Sequence, residues 1–250
     1  MVDLSRNWLA TLPSITKFWF YACLITSIIF TLPALPYISE TKLSSYLSAA
    51  YLSLDWDLIR SGQIWRLVTP FLVIGAFIPG LISFTFVCLT ILGIYCRELE
   101  ETYYSNPRGA AQLTTTIIFG AAFLLAMSKL IQAPFYALPL IFFIVTHLTT
   151  LNPYQTLGTS NVLLRWHLPY ILLTLIALTA PSMTGQAFVG ILIGYAFHLM
   201  TVRLYENFGL RLWVTPRTLI YFYEKYGIGQ RKILFTQAAG HSINEAQNFQ

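Results

Sequence analysis

A serine hydrolase working inside a membrane would need a buried serine activated by a histidine. The chain has four histidines, His147, His167, His198 and His241. His147 and His198 lie inside apolar runs, His167 follows Trp166 at the edge of one, and His241 is near the C-terminal end. An ionisable residue within a span marks a functional position by default. Neither His147 nor His198 has a visible serine partner, and the plain alternative is a hydrogen bond between packed helices. The serine that most resembles a nucleophile in a glycine turn is Ser160, in Gly158-Thr159-Ser160-Asn161, and that composition is ordinary turn chemistry. No two carboxylates share an apolar run, and no His, Asp or Cys cluster has metal-ligand spacing. Cys23, Cys88 and Cys96 are odd in number and form no CxxC pair, which argues against a disulfide framework. They are expected to act as small apolar fillers. No catalytic residue, metal or cofactor is expected.

The elements that must carry these residues are membrane spans. Of the 250 residues, 56% are hydrophobic and 10% charged, whereas soluble domains carry about 25% charged residues. Bilayer must supply much of the solvent. Six apolar runs approach the roughly 20 residues of a helical span: about Phe18 to Ile38, a run within Leu67 to Tyr95, Leu113 to Ile131, Phe135 to Leu151, Leu168 to Met183 and Phe188 to Tyr205. The fourth and fifth are short, and Pro139 interrupts the fourth. Pro70, Gly75, Pro79 and Gly80 break the second run, so Leu67 to Phe77 is expected to be re-entrant or interfacial, with the span beginning near Ile78. No signal-peptide cleavage site is evident, and the first span is expected to serve as the insertion signal.

An even number of spans puts both termini on one side. Of the 15 lysines and arginines, only Lys42, Arg60, Arg66 and Lys129 fall on the opposite side. The excess on the terminus side predicts cytoplasmic termini. The net charge of +5 therefore reflects topology, and no basic stripe or stacking motif suggests nucleic acid. The long loop Ser39 to Arg66 carries Leu43, Tyr46, Leu47, Ala50, Tyr51 and Leu54 at helical spacing, which predicts an amphipathic helix over Leu43 to Leu58 lying on the membrane. The division expected is a transmembrane domain over 1–210 and a cytoplasmic tail over 211–250.

Ordered patches then point to a family. Gln63-Ile64-Trp65-Arg66-Leu67-Val68-Thr69-Pro70-Phe71-Leu72, followed by Gly75, resembles the QIWRL-x-T-x-F-L stretch of the Derlin (Der1-like) family, pseudoproteases of the rhomboid superfamily. On physical grounds Trp65 would anchor at the headgroups and Arg66 would reach to phosphate. Tyr95-Cys96-Arg97-Glu98-Leu99-Glu100-Glu101 is similar to the Derlin YCRxLEE, and Arg97 and Glu101 are spaced for an i,i+4 pair. Asn152-Pro153 and Thr215-Pro216 hold the family's order, and Gly190 and Gly194 form a GxxxG packing motif in the sixth span. The rhomboid GxSG serine has no counterpart in Phe135-Tyr136-Ala137-Leu138-Pro139, and Tyr195 stands where the catalytic histidine would follow the glycines. Many Derlins keep that histidine, so this chain departs from its family there. In the tail, Tyr226, Gly227, Gly229, Ile233 and Leu234 resemble the SHP box that recruits valosin-containing protein, a hexameric AAA ATPase.

The resemblance implies an all-α, rhomboid-like bundle of six transmembrane helices in the endoplasmic reticulum membrane. It implies a non-catalytic role in moving misfolded proteins to the cytosol by local bilayer thinning. The partners implied are the ATPase, a membrane ubiquitin-ligase complex, misfolded substrates, and further copies or relatives of the chain. A protein-import role in a secondary plastid, a divergent rhomboid protease and a transporter stand as alternatives.

Overall fold

The computed structural model describes residues 11–34, 49–78, 81–103, 109–131, 133–156, 164–203 and 215–226. Its helices are α1 (Ser14–Thr31), α2 (Ala49–Leu52), α3 (Trp56–Arg60), α4 (Ile82–Glu98), α5 (Gly109–Ala126), α6 (Ser128–Ile131), α7 (Ala137–Leu151), α8 (Leu168–Thr179), α9 (Thr184–His198) and α10 (Arg217–Tyr226). Among the described residues there is no strand, only an isolated bridge between Thr156 and Leu164. The protein is a helical, multi-pass membrane protein. Among the described residues four helical stretches are long and apolar enough to cross a bilayer: Ser14–Thr31, Ile82–Glu101, Gly109–Ala126 and Pro181–Arg203. Their outward side chains, such as Phe18, Phe86, Ile118 and Leu192, are apolar and exposed, as lipid contact requires.

The two short runs stay short. At 1.5 Å per residue, the 15 residues of α7 reach about 22 Å and the 12 residues of α8 about 18 Å, against roughly 30 Å of hydrocarbon. α7 is buried along its length from Ala137 to Thr149, the signature of a helix apolar all round. Pro139 does not interrupt it. Pro139 falls in the first turn, where an amide has no helical partner to lose. α9 packs more extensively on α7 than any other pair of helices does. Gly190 and Gly194 make that approach possible. A Cβ on Gly190 would run into the Pro139 carbonyl and the Phe142 Cβ, and one on Gly194 would sit 2.7 Å from the Thr146 Cβ.

Several boundaries differ from the sequence expectations for local reasons. α1 begins at Ser14, directly after Pro13, whose φ of −68° suits a helix entrance. It ends at Thr31 because Pro33 cannot continue the hydrogen-bond ladder. α5 stops at Ala126, short of Ile131, and a turn at Met127 separates it from α6. α8 ends before Pro181. The amphipathic helix expected over Leu43 to Leu58 is not continuous. The chain breaks at Ser53–Asp55, where the Asp55 carboxylate accepts from the amides of Asp57 (3.0 Å) and Leu58 (3.2 Å) and starts α3 instead. Residues 43–48 lie outside the described residues.

Leu67 to Phe77, expected to be re-entrant or interfacial, consists of two 3-10 turns and an irregular stretch without helix or strand. Phe71, Val73, Ile74 and Ala76 within it are buried. Its backbone is satisfied by hydroxyls. Thr26 donates to the Leu72 carbonyl (2.8 Å), Ser27 accepts from the Ile74 amide (3.3 Å), and Thr31 accepts from the Phe77 amide (2.8 Å). From α4, Thr85 donates to the Ala76 carbonyl (3.1 Å).

The glycine seam yields a direct test. Gly190→Val should lower unfolding stability of the detergent-solubilised protein by about 2 kcal/mol through overpacking. Gly185→Ala, with nothing within 4 Å of the added Cβ, should leave the melting temperature unchanged.

Candidate functional site

The residues singled out by motif fall into three clusters, one on each face of the membrane and one between the spans. The first surrounds Arg66, on the side of α2 and α3. Arg66 is only 3% exposed. Its guanidinium donates to the Ala50 carbonyl (2.7 Å) and the Ser53 carbonyl (2.8 Å), and its Nε donates to the Gln63 Oε1 (2.6 Å). The expected reach of Arg66 to headgroup phosphate is therefore not what the side chain does. Carbonyls left unpaired where the chain breaks after α2 draw the planar fork inward. Trp65 stays exposed and stacks on Tyr51 at 5.4 Å between centroids. Thr69 donates to the Leu52 carbonyl (2.9 Å), and Phe71 packs on Tyr136 at 5.8 Å. Gly75 lies against Thr85, where a Cβ would come within 2.6 Å of its hydroxyl. The Trp56 indole donates to the Ser128 hydroxyl (2.9 Å), and the Tyr136 amide to the Pro70 carbonyl (2.8 Å). The irregular segment is thus tied at Pro70 to the start of α7, and α3 is tied through Trp56 to α6.

The second cluster sits at the far end of α4, and its centre is Glu100. Glu100 lies within the Tyr95–Glu101 motif, where nothing in the sequence gives it a partner. Its carboxylate accepts from the Ile15 amide (3.2 Å), the Thr16 amide (2.9 Å) and the Thr16 hydroxyl (2.8 Å). α1 has no side-chain cap of its own, since Pro13 stands at its N-cap. A carboxylate 84 residues away therefore satisfies its first amides and faces the positive end of its dipole. Arg97 pairs with Glu101 at 3.1 Å and donates to the Thr11 hydroxyl at 3.3 Å. Glu98 forms an ion pair with the nearly buried Arg165 from the connection between α7 and α8. Arg165 is held in turn by the bond from its amide to the Gln155 carbonyl (2.9 Å). Asn152 and Pro153 begin that connection, and the Trp166 amide donates to the Pro153 carbonyl (3.3 Å). The α4 end therefore locks together α1 and the α7–α8 connection.

The third cluster lies between the spans, where protease chemistry would be sought. Tyr136, beside the missing serine position, is buried and its hydroxyl donates to the Ser128 carbonyl at 3.4 Å. Tyr195 follows Gly194 on α9 and its hydroxyl bonds that of Tyr170 on α8 at 3.1 Å. His147 is buried with its ring edge-on to Phe197 at 4.8 Å. The buried serines among the described residues are Ser27 and Ser128, which serve the Ile74 amide and the Trp56 indole. Nearby, Val87, Cys88, Ile91, Leu138, Phe142, Leu172 and Leu175 line a wholly apolar crevice where α4, α7 and α8 meet. The neighbouring surface of α8 is apolar too, with Leu178 79% exposed.

In the tail, Tyr226 is the last residue of α10 and is exposed. Gly227, Gly229, Ile233 and Leu234 lie outside the described residues. What the sequence could not signal was Glu100 as a cap, because its partner is distant in the chain. The hydroxyls of Thr26, Ser27 and Thr31 did leave a trace, as polar residues within the first apolar run.

Glu100→Ala should destabilise the protein by about 2 kcal/mol, because it strips charge-assisted bonds from buried amides. Glu101→Ala, which removes an i,i+4 pair about a quarter exposed, should cost roughly 1 kcal/mol or less. Thermal unfolding of the two variants side by side checks the contrast.

The sequence model of the Der1-like family matches residues 12–217 of the chain, a stretch that includes all three clusters and every span.

Proposed function

The chain belongs to the Der1-like family, and from that premise we propose that it assists the passage of misfolded proteins out of the endoplasmic reticulum, without cutting them. Members of this family are in general non-catalytic relatives of rhomboid proteases. In this chain the nucleophile position is occupied by Phe135–Pro139 and the histidine position by Tyr195, whose hydroxyl is engaged by Tyr170. The observation that supports the mechanism is a helix of only 12 residues, α8, beside a wholly apolar crevice.

The mechanism is physical. A polar backbone group left unsatisfied in intact hydrocarbon costs several kcal/mol. A bilayer adjoining a helix of about 18 Å must thin, or the helix ends must be buried in protein. Thinning beside α8 shortens the path a substrate backbone travels without water. The exposed apolar surface of α8, with Leu178 79% exposed, gives an apolar flank of the substrate a surface to lie against. The α4 end holds α1 and the α7–α8 connection in place during that passage, through Glu100 and the Glu98–Arg165 pair. Force comes from the AAA ATPase, which docks on the tail through Tyr226, Gly227, Gly229, Ile233 and Leu234, while a membrane ubiquitin ligase marks the substrate. Both termini face the cytosol in this reading, in keeping with the excess of Lys and Arg on their side.

The test is co-purification from detergent. The wild-type chain should retain the ATPase, and Gly227→Ala combined with Gly229→Ala should weaken the association by roughly tenfold or more, as loss of a hot spot does. Equal retention by the two proteins removes the docking role. Failure of the wild-type chain to retain either the ATPase or ligase components removes the degradation role itself.

A further inference from the structure

α10 follows the last span, yet it does not stand away from the bundle. Its Leu219, Ile220 and Tyr223 pack on Ala110 and Ala111 of α5, with Ile15 of α1 alongside. The Tyr223 hydroxyl is 2.9 Å from the Thr114 hydroxyl. Thr114 spends its own proton on the Ala110 carbonyl at 2.9 Å, so the tyrosine is the donor. These contacts fix the depth of α10. The 18 residues of α5 span about 27 Å, so the helix has no residues to spare in crossing roughly 30 Å of hydrocarbon. Whatever lies against Ala110, Ala111 and Thr114 therefore lies at the boundary between headgroups and acyl chains.

The rest of α10 matches that depth. Tyr221, Phe222 and Tyr226 are all at least half exposed, and the rings of Phe222 and Tyr226 lie 4.6 Å apart. At 100° per residue these two fall beside Leu219, on the edge of the docked face. Arg217 and Lys225 occupy the outer face, and Glu224 is the helix's one acid. Aromatic side chains on one edge and bases on the outside form the pattern of a helix lying in a membrane surface.

We propose that α10 is an interfacial anchor whose partner is the acidic phospholipid surface of the leaflet it adjoins. Phe222 and Tyr226 enter the headgroup layer, Arg217 and Lys225 meet lipid phosphates, and the bond between Tyr223 and Thr114 fixes the helix to α5. The proposal rests on the membrane reading alone. It bears on ATPase docking in one way, since Tyr226 would be held at the lipid surface unless the ATPase draws it off.

The experiment uses the full chain in proteoliposomes. The native cysteines are buried, so the environment-sensitive dye NBD can be placed at Tyr226→Cys, and at Phe222→Cys as a second site should the first variant fold poorly. In vesicles of phosphatidylcholine with phosphatidylserine, the dye should emit blue-shifted from its value in water. It should be quenched by lipids carrying a shallow doxyl group and shielded from aqueous iodide. Arg217→Gln with Lys225→Gln should reduce the shift. Water-like emission, quenched by iodide and indifferent to doxyl lipid, overturns the proposal and turns this face to the cytosol and a protein partner. Equal shifts with and without phosphatidylserine overturn the assignment to acidic lipid.

Discussion

Hydrocarbon offers backbone polar groups no water, and the irregular stretch from Leu72 to Phe77 exists only because other helices supply what water would. Three hydroxyls of α1 and one of α4 satisfy it, at distances of 2.8–3.3 Å. The requirement works in both directions. The segment is held in place by α1, and α1 cannot slide along α4 without orphaning the Ile74 and Phe77 amides. The opposite end of α1 is under the same kind of control, because its first amides are satisfied by Glu100. α1 is therefore fastened at both membrane faces by polar bonds, and its outer surface is left to lipid.

With α1 and α4 so fixed, α7 can be short. Its position is set by packing, with Gly190 and Gly194 letting α9 come against Pro139, Phe143 and Thr146. Nothing obliges it to match the bilayer in length, because protein surrounds it. α8 is different. It is shorter still, and much of its surface is apolar and outward-facing. In the proposed mechanism a helix of about 18 Å facing lipid thins the bilayer beside it. The fold thus places its shortest lipid-facing element beside its apolar crevice.

Much of this was legible in the sequence. Composition alone required a membrane protein, and the apolar runs located the helices but shifted their ends, in α1 by four residues at the start and seven at the end. The GxxxG spacing marked the place of closest approach, because only glycine tolerates it. The i,i+4 spacing of Arg97 and Glu101 corresponds to an ion pair in the structure. What stayed hidden depended on distant partners. Trp65 and Arg66 adjoin in sequence, yet one faces outward and the other is buried on the carbonyls of Ala50 and Ser53. Of the three carboxylates in the Tyr-Cys-Arg-Glu-Leu-Glu-Glu run, Glu98 and Glu100 had nothing local to assign them. Only tertiary contact assigns Glu98 to Arg165 and Glu100 to α1. Pro139 misled because proline breaks a helix interior but suits a first turn, and the boundary is settled by what lies before it.

The central claim is that this protein works on the bilayer and not on a bond, and the thickness of the lipid around it tests that most directly. With the protein in a lipid nanodisc, cryo-electron microscopy resolves the two phosphate layers at each helix. The account predicts that the layers approach one another by several ångströms beside α8, relative to their spacing beside α5. A spacing uniform around the whole perimeter would contradict it.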